Sequence, residues 1–320
     1  MATIHLVDSH LVPTSGQIPS PNFQTATLSE VRESMLAKAV ASLPPDNPSV
    51  SVKAVRVPGL NGAPDVRVLA YRPTAAQGLL PALVHLHGGG YVVGSPERKG
   101  AEHRKLAVDL GCAIYSVDYR LAPEIPFPGS IEDCYAVVKW LHSNASQLGI
   151  DATRIGVMGE SAGGGLAASL ALMVRDRGEF SLAFQQLISP MLDDRTAFNA
   201  DLNPLAGEFA WTRQDNAFGW ASLLGSSVGK QDVSPYAAAA RADDLKGLPP
   251  TFISIAVLDL LMEEELEYAR RLVRAGVPLE LHVYPGTYHG FVPSFPEAAV
   301  SIVAERDSRE ALRRTFHRQR

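Results

Sequence analysis

A serine between two glycines, set between two apolar runs, constrains this chain more than any other feature. Residues 159–163 read Gly-Glu-Ser-Ala-Gly. The apolar run 154–158 predicts a buried strand, and the run 166–174 predicts a buried helix. Glycine permits the sharp turn that joins such a strand to such a helix, and the turn lifts the Ser161 hydroxyl clear of the sheet. The pattern predicts a nucleophilic serine; the alternative is a helix N-cap.

Strands and helices are predicted to alternate over most of the chain. The runs 52–57 and 66–71 flank Pro-Gly-Leu-Asn-Gly and predict an antiparallel hairpin. Further strands are predicted at 82–86, 112–117, 154–158, 183–188, 251–257 and 279–284, and helices at about 97–110, 130–145, 166–174, 262–275 and from about 295. This alternation predicts an α/β protein with a mainly parallel central sheet and helices on both faces. Ser294 and Glu297 predict a capping box where the last helix starts.

Two segments fall outside this rhythm. Residues 1–50 contain a Pro- and Ser-rich stretch and then a helical pattern, which predicts an N-terminal cap segment ahead of a catalytic domain over 51–320. Within that domain, an insertion at about 191–245 is expected to add to a small helical cap. Its aromatic residues Phe209, Trp211 and Phe218 either line the substrate pocket or only pack the insertion onto the body. Both interpretations stay open.

Composition excludes several classes of function. The formal net charge is −5, which gives no electrostatic reason to bind nucleic acid or an anionic membrane. No apolar stretch is long enough to cross a membrane, and the first residues lack the pattern of a secretory signal, so we expect a cytoplasmic protein with a small-molecule substrate. The two cysteines, Cys112 and Cys134, show no spacing typical of zinc or disulfide frameworks and are expected to be buried apolar groups.

A serine nucleophile needs an imidazole base and an acid that orients it. His289 follows the predicted strand 279–284 directly, at the carboxyl edge where active sites of open α/β sheets lie. His282 is a rival, but it falls within that strand. Asp259 follows the strand 251–257 and is the expected acid, with an ordinary N-cap as its alternative. Glu263 and Glu264 are less favoured because they lie inside the next helix.

Three consecutive glycines follow the predicted strand 82–86, in His87-Gly-Gly-Gly-Tyr91. Without side chains, the amides of Gly88 and Gly89 are free to point at a developing oxyanion, together with the amide of Ala162. A merely flexible turn is the alternative. Tyr91, which closes the motif, is a candidate for substrate contact. His85 and His87 form a His-x-His pair, but nothing beside them completes a metal site, so no metal is expected.

Four motifs in order resemble the hormone-sensitive-lipase family of α/β-hydrolase esterases. They are His-Gly-Gly-Gly-Tyr at 87–91, Asp-Tyr-Arg-Leu-Ala-Pro-Glu at 118–124, Gly-Glu-Ser-Ala-Gly-Gly at 159–164 and His-Gly-Phe at 289–291. The resemblance implies an α/β-hydrolase fold with a cap and a short-chain carboxylesterase without metal or cofactor. Two departures stand out. The family's Asp-Pro-Leu-x-Asp-Glu is Asp-Leu-Leu-Met-Glu-Glu at 259–264, and Glu160 replaces an aspartate common among relatives.

The expected reaction is ester hydrolysis through an acyl-enzyme, with Ser161 as nucleophile, His289 as base and Asp259 as its partner. The chain order of these residues is that of α/β-hydrolases. Two alternatives stay open: hydrolysis of an amide, carbamate or lactone by the same machinery, or a non-catalytic protein that binds small molecules. The predicted strand 279–284 has the character of an exposed edge, so a homodimer that pairs along it is one expected assembly.

Overall fold

The computed structural model describes residues 3–23 and 28–316, which contain one eight-stranded sheet. Its strands are β1 (Val50–Val57), β2 (Val66–Pro73), β3 (Leu80–Leu86), β4 (Ala113–Asp118), β5 (Ile150–Glu160), β6 (Phe184–Ile188), β7 (Thr251–Ala256) and β8 (Leu279–Tyr284). Their spatial order is β1-β2-β4-β3-β5-β6-β7-β8. The predicted hairpin is present, because β1 pairs with β2 in antiparallel fashion.

Only β2 runs against the other strands. It pairs antiparallel with both β1 and β4, and every pairing from β4 to β8 is parallel. Parallel strands need crossover connections, and helices supply them on both faces of the sheet. The predicted fold class, an α/β-hydrolase fold with a mainly parallel sheet, is therefore confirmed.

The described residues contain nine α-helices, several of which pack against the sheet. They are α1 (Leu28–Ala41), α2 (Gly100–Leu110), α3 (Gly129–Ser143), α4 (Ala145–Leu148), α5 (Ala162–Arg177), α6 (Arg213–Leu224), α7 (Met262–Arg274), α8 (Phe291–Ser294) and α9 (Ala299–Phe316). Helix α5 is buried from Ala162 to Val174, which fits its apolar sequence on all sides. It ends where Gly178 adopts a left-handed conformation. None of the described helices is long and apolar enough to cross a membrane.

The predicted start of the last helix is wrong. Ser294 ends the short helix α8, and its hydroxyl donates a hydrogen bond to the carbonyl of Gly290 at 2.9 Å. Helix α9 starts only at Ala299. Pro296 explains the break, because proline disfavours helical dihedral angles in the residue before it, and Phe295 has φ −138° and ψ 68°.

The N-terminal segment and the insertion at about 191–245 contact each other. The amide of Thr3 donates to Glu208 at 2.9 Å, and the amide of Asn22 donates to Asp215 at 3.1 Å. Asp215 also forms the capping box at the start of α6 with Thr212. Since these bonds join two segments far apart in sequence, they are compatible with a two-part cap. The domain boundaries at residues 50, 191 and 245 stay predictions, and the predicted cap segment is described only over 3–23 and 28–50.

Candidate active site

Ser161 sits on a strained turn between β5 and α5. Its dihedral angles are φ 56° and ψ −123°, a conformation that L-residues avoid unless their surroundings enforce it. The main chain does so here: the Ser161 amide donates to Ile188 at 2.9 Å, and its carbonyl accepts from the amides of Gly165 at 3.0 Å and Met191 at 2.9 Å. The turn thus has fixed hydrogen bonds on both sides of the serine.

The two glycines that flank the turn are sterically required. A Cβ on Gly159 would lie 2.2 Å from the carbonyl oxygen of Gly163, and a Cβ on Gly163 would lie 2.0 Å from that of Leu86. Both contacts are with backbone, which cannot move aside as a flexible side chain could. The glycines therefore allow the helix α5 to start directly against β3 and β5.

His289 lies between Ser161 and Asp259. Its Nε2 is 2.9 Å from Ser161 Oγ, and its Nδ1 is 2.5 Å from Asp259 Oδ2. Since a carboxylate only accepts hydrogen bonds, Nδ1 carries the proton and Nε2 is left to accept from the serine hydroxyl. Asp259 is fully buried and also accepts from the Leu261 amide at 3.1 Å. The structure therefore brings together all three residues expected from the sequence.

Glu264, an alternative candidate for the acid, and His282, an alternative candidate for the base, have other partners. The Glu264 carboxylate accepts from the amides of Leu192 at 2.6 Å and Asp193 at 3.2 Å, so it holds the loop after β6. His282 lies within β8, and its ring nitrogens are 2.9 Å from Glu280 and 3.3 Å from Asp307. Neither group is in hydrogen-bond contact with the Ser161–His289 pair.

The loops after β7 and β8 are joined by their backbones. The Val257 amide donates to Tyr284 at 3.2 Å, and the Leu258 amide donates to Thr287 at 2.8 Å. Asp259 and His289 follow these two bonds, one on each loop. Adjacent parallel strands end at the same edge of a sheet, which explains how residues 30 positions apart come into contact.

The glycine loop after β3 lies directly against the nucleophile turn. A Cβ on Gly88 would be 2.9 Å from the carbonyl oxygen of Glu160 and 3.3 Å from Ser161 Cβ. Gly89 has φ +133°, which favours glycine. Within residues 3–23 and 28–316, no group accepts a hydrogen bond from the amides of Gly88, Gly89 or Ala162. These three donors are available to a substrate oxygen, and the oxyanion hole stays a prediction that this arrangement supports.

The His-x-His pair is used for packing and hydrogen bonding. The His87 ring stacks on Tyr119 with centroids 4.2 Å apart, and its Nδ1 donates to Gly88 at 3.0 Å. Burial lowers the pKa of His87 to about 4, although the bond to Gly88 opposes the shift. His85 contacts Ser116 and Glu160 instead. Among the described residues, no group of three His, Cys, Asp or Glu side chains is arranged to hold a metal ion.

Of the four aromatic candidates, Trp211 has a ring contact with His289. Its ring centroid is 5.8 Å from that of His289, and Gly90 leaves room for it, since a Cβ there would lie 2.5 Å from the indole. Tyr91 and Phe209 are both 1% exposed. The Tyr91 hydroxyl donates to the Met191 carbonyl at 3.2 Å, and Phe209 packs against another buried ring. A substrate contact for any of the four stays a prediction.

Phe23 is a candidate pocket residue that the sequence did not reveal. Its ring stacks on Phe218 at 5.7 Å and meets the edge of Trp211 at 6.3 Å. It therefore belongs to the same aromatic cluster as Trp211, which lies beside His289. No local motif surrounds Phe23, and its contacts bridge almost 200 residues, so only the folded chain shows this placement.

Comparison with known proteins places the chain in a family. A family model described as an alpha/beta hydrolase fold matches residues 83–293. Carboxylesterase NlhH of Mycobacterium tuberculosis is 36% identical over 267 residues, or 82% of each chain. Esterase LipI of the same organism is 34% identical over 277 residues, or 85% of each chain.

A solved structure named Bacterial Heroin Esterase is similar over nearly the whole length. It has a TM-score of 0.91 and 39% identity, and the match covers 99% of this chain and 100% of that one. Fold, motif order and these relatives agree with the resemblance that the sequence indicates. The chain belongs to the α/β-hydrolase family, in its hormone-sensitive-lipase-like branch, and is a serine carboxylesterase.

Proposed function

We propose that this carboxylesterase hydrolyses short-chain acyl esters with Ser161, His289 and Asp259 as its catalytic residues. The observation that carries the proposal is the continuous hydrogen-bonded chain from Ser161 Oγ through the His289 ring to Asp259, with contacts of 2.9 and 2.5 Å. This is the geometry in which an imidazole takes a proton from a hydroxyl and a carboxylate holds the resulting imidazolium.

In the first half-reaction Ser161 Oγ attacks the carbonyl carbon of the ester while its proton passes to His289 Nε2. The carbonyl π electrons move onto oxygen, and the amides of Gly88, Gly89 and Ala162 stabilise the oxyanion. When the tetrahedral intermediate collapses, the bond from carbon to the leaving oxygen breaks. His289 gives its proton to that oxygen, the alcohol departs, and the acyl group remains on Ser161 as an acyl-enzyme.

In the second half-reaction a water molecule replaces the alcohol. His289 Nε2 takes a proton from the water as its oxygen attacks the acyl carbon, and the same amides hold the second oxyanion. Collapse breaks the bond to Ser161 Oγ, which recovers its proton from His289, and releases the carboxylic acid. Asp259 accepts the hydrogen bond from His289 Nδ1 and stabilises the imidazolium in each step.

The preference for short acyl groups is proposed from the crowding at the site. Ser161 is only 9% exposed, and the Trp211 ring lies beside His289. A long flexible acyl chain would have to displace the aromatic cluster of Phe23, Trp211 and Phe218.

A cytoplasmic location is also part of the proposal, and fractionation of cells that produce the protein checks it.

Replacement of the nucleophile tests the proposal. Ser161→Ala removes the attacking oxygen, so we expect kcat on nitrophenyl butyrate to fall by about 10⁵ or more. Ser169→Ala is the matched control, since Ser169 is another buried serine on α5 that donates only to the Pro235 carbonyl. Its activity should stay within about threefold of the parent. Substantial turnover by Ser161→Ala would overturn the mechanism.

The same assay tests which acyl length the protein prefers and whether it hydrolyses the ester or only binds it. Rates on nitrophenyl acetate, butyrate, hexanoate and decanoate should decline at the longer chains; a maximum at decanoate would contradict the short-chain proposal. A burst of nitrophenol equal to the enzyme concentration would report the acyl-enzyme. A protein that only binds the ester releases no nitrophenol.

A further inference from the structure

A row of polar side chains lies beneath the nucleophile turn and takes no part in the proposed proton transfers. His85 Nδ1 is 2.8 Å from Ser116 Oγ, and His85 Nε2 is 3.0 Å from Glu160 Oε2. His85 is fully buried, and the Glu160 side chain is 23% exposed. The row crosses three adjacent strands, β4, β3 and β5, with His85 in the middle.

Strand register places these side chains together. His85 is the partner of Ser116 on β4 and of Met158 on β5. Glu160 stands two residues beyond Met158, so its side chain leaves the sheet on the same face. That face is covered by α2, whose His103 ring stands edge-on to His85 with centroids 4.2 Å apart. The contact between His85 and Glu160 therefore follows from the pairing of the strands.

The same two residues lead directly into the catalytic backbone. Glu160 immediately precedes Ser161, and His85 lies three residues before Gly88. The Glu160 carbonyl oxygen is the nearest atom to where a Cβ on Gly88 would lie, at 2.9 Å. The side-chain bond from His85 to Glu160 thus ties β3 and β5 together at the point where their backbones separate into the glycine loop and the nucleophile turn.

Charge strengthens this tie. Burial opposes ionisation of Glu160, but its interaction and hydrogen bond with His85 prevail and hold the pKa of the Glu160 carboxyl well below its usual range. Lys99 and His103 act in the same direction. A hydrogen bond to an ionised group contributes more than one between neutral groups, about 1.5–3 kcal/mol.

We propose that Glu160 and His85 are a positioning pair that sets the distance between the oxyanion-hole amides and Ser161 Oγ. The inference rests on the proposed function, because it assigns the pair a role in that mechanism. Neither side chain touches the substrate. Their bond holds β3 against β5, and through the backbone it aligns the amides of Gly88 and Gly89 with the place where the oxyanion forms.

Kinetics of Glu160→Gln and His85→Gln test the pair. We expect kcat on nitrophenyl butyrate to fall by about 10- to 100-fold, because a misplacement of about 1 Å at a catalytic group costs up to about 10² in rate. KM should change by less than about threefold, since the ground state does not carry the oxyanion. The kcat of the double variant should be no lower than that of the less active single variant. The reason is that the effects of two substitutions do not add when the two residues act as a unit.

A second measurement separates positioning from general loss of structure. A trifluoromethyl ketone adds to Ser161 and forms a tetrahedral oxyanion, so its affinity should fall by the same factor as kcat/KM across the variants. Asp133→Asn is the matched control: Asp133 is 2% exposed and bound by Arg120 at 2.8 Å, on helix α3. Its kcat and its affinity for the ketone should stay within about threefold of the parent.

The outcomes are distinct. The inference fails if folded Glu160→Gln keeps kcat within about twofold of the parent, or if Asp133→Asn loses as much as Glu160→Gln. If neither Glu160→Gln nor His85→Gln folds, Ser116→Ala decides the matter, because it removes only the outer hydrogen bond of His85. That variant should lose kcat by about three- to tenfold, and an unchanged kcat would overturn the inference. Activity in Ser161→Ala would instead refute the proposed function itself.

Discussion

His87 begins the glycine loop, yet its imidazole faces the protein interior. The ring is 1% exposed, and it stacks on Tyr119, whose hydroxyl donates to the His87 carbonyl at 2.6 Å. Gly94 must be glycine here, because a Cβ would lie 2.4 Å from His87 Nδ1. The histidine thus supports the loop as a neutral packing group, and its protonation would place an unpaired charge in the core.

That burial predicts acid sensitivity. The pKa of His87 is about 4 in the folded state against 6.5 for the free side chain, so between these values the unfolded chain binds a proton that the folded chain does not. The free energy of unfolding should therefore decrease as pH falls through this window, by about 3 kcal/mol from His87 at about 1.4 kcal/mol per pKa unit.

The measurement is denaturant unfolding of the parent and of His87→Gln at several pH values from 7 to 4. Glutamine cannot take up the proton, so the free energy of unfolding of the variant should depend less steeply on pH. The remaining pH dependence should include the part due to buried His103, because burial lowers the pKa of that residue too. Equal slopes in the two proteins would contradict the prediction.

The N-terminal segment and helix α6 share one carboxylate. Asp215 accepts from Ser20 at 2.5 Å and Asn22 at 3.1 Å, and it also accepts from Thr212 in the capping box of α6. Phe23 follows and joins the aromatic cluster beside His289. Asp215 therefore stabilises the start of α6 and also binds the N-terminal segment, which is almost 200 residues away in the sequence.

Asp215→Ala should loosen both elements at once. We expect the free energy of unfolding to fall by about 1–2 kcal/mol, the usual effect of losing an N-cap interaction. Hydrogen exchange at residues 18–23 should accelerate, and KM for nitrophenyl butyrate should rise several-fold. Asp232→Ala, at an exposed position of the same insertion, is the control. Unchanged exchange at residues 18–23 would show that Asp215 does not hold the segment.

For the molecule as a whole, the sheet ends at β8, and among residues 3–23 and 28–316 this strand pairs with β7 alone. Leu281 and Val283 on this strand are 38% and 43% exposed. Exposed edge strands with apolar side chains readily pair with another chain. The homodimer expected from the sequence would place a second copy on this edge.

A molar-mass measurement tests that assembly. Light scattering after size exclusion should give twice the chain mass for the parent. Val283→Lys places a charge at the edge and should shift the protein to the monomer, while Val273→Lys, at an exposed position on α7, should leave the mass unchanged. A monomeric parent would rule out the dimer.

The sequence was most informative about the site where a candidate catalytic residue directly follows a predicted strand. Ser161, Asp259 and His289 each follow a predicted strand, so chain order and sheet topology together indicate that they meet. The start of α9 was misplaced because Ser294 and Glu297 form a capping pattern that Pro296 interrupts. Phe23 could not be found at all, because its placement depends on long-range packing that no local pattern encodes.

Gly163 lies so close to β3 that a single methyl group would meet the Leu86 carbonyl at 2.0 Å. For laboratory evolution, this means that libraries aimed at new substrates should keep Gly159 and Gly163 fixed. Diversity belongs at Phe23, Trp211 and Phe218, where side chains meet other side chains and can be exchanged without rebuilding the main chain. Saturating these three positions together would change the aromatic cluster beside His289 while the nucleophile turn keeps its shape.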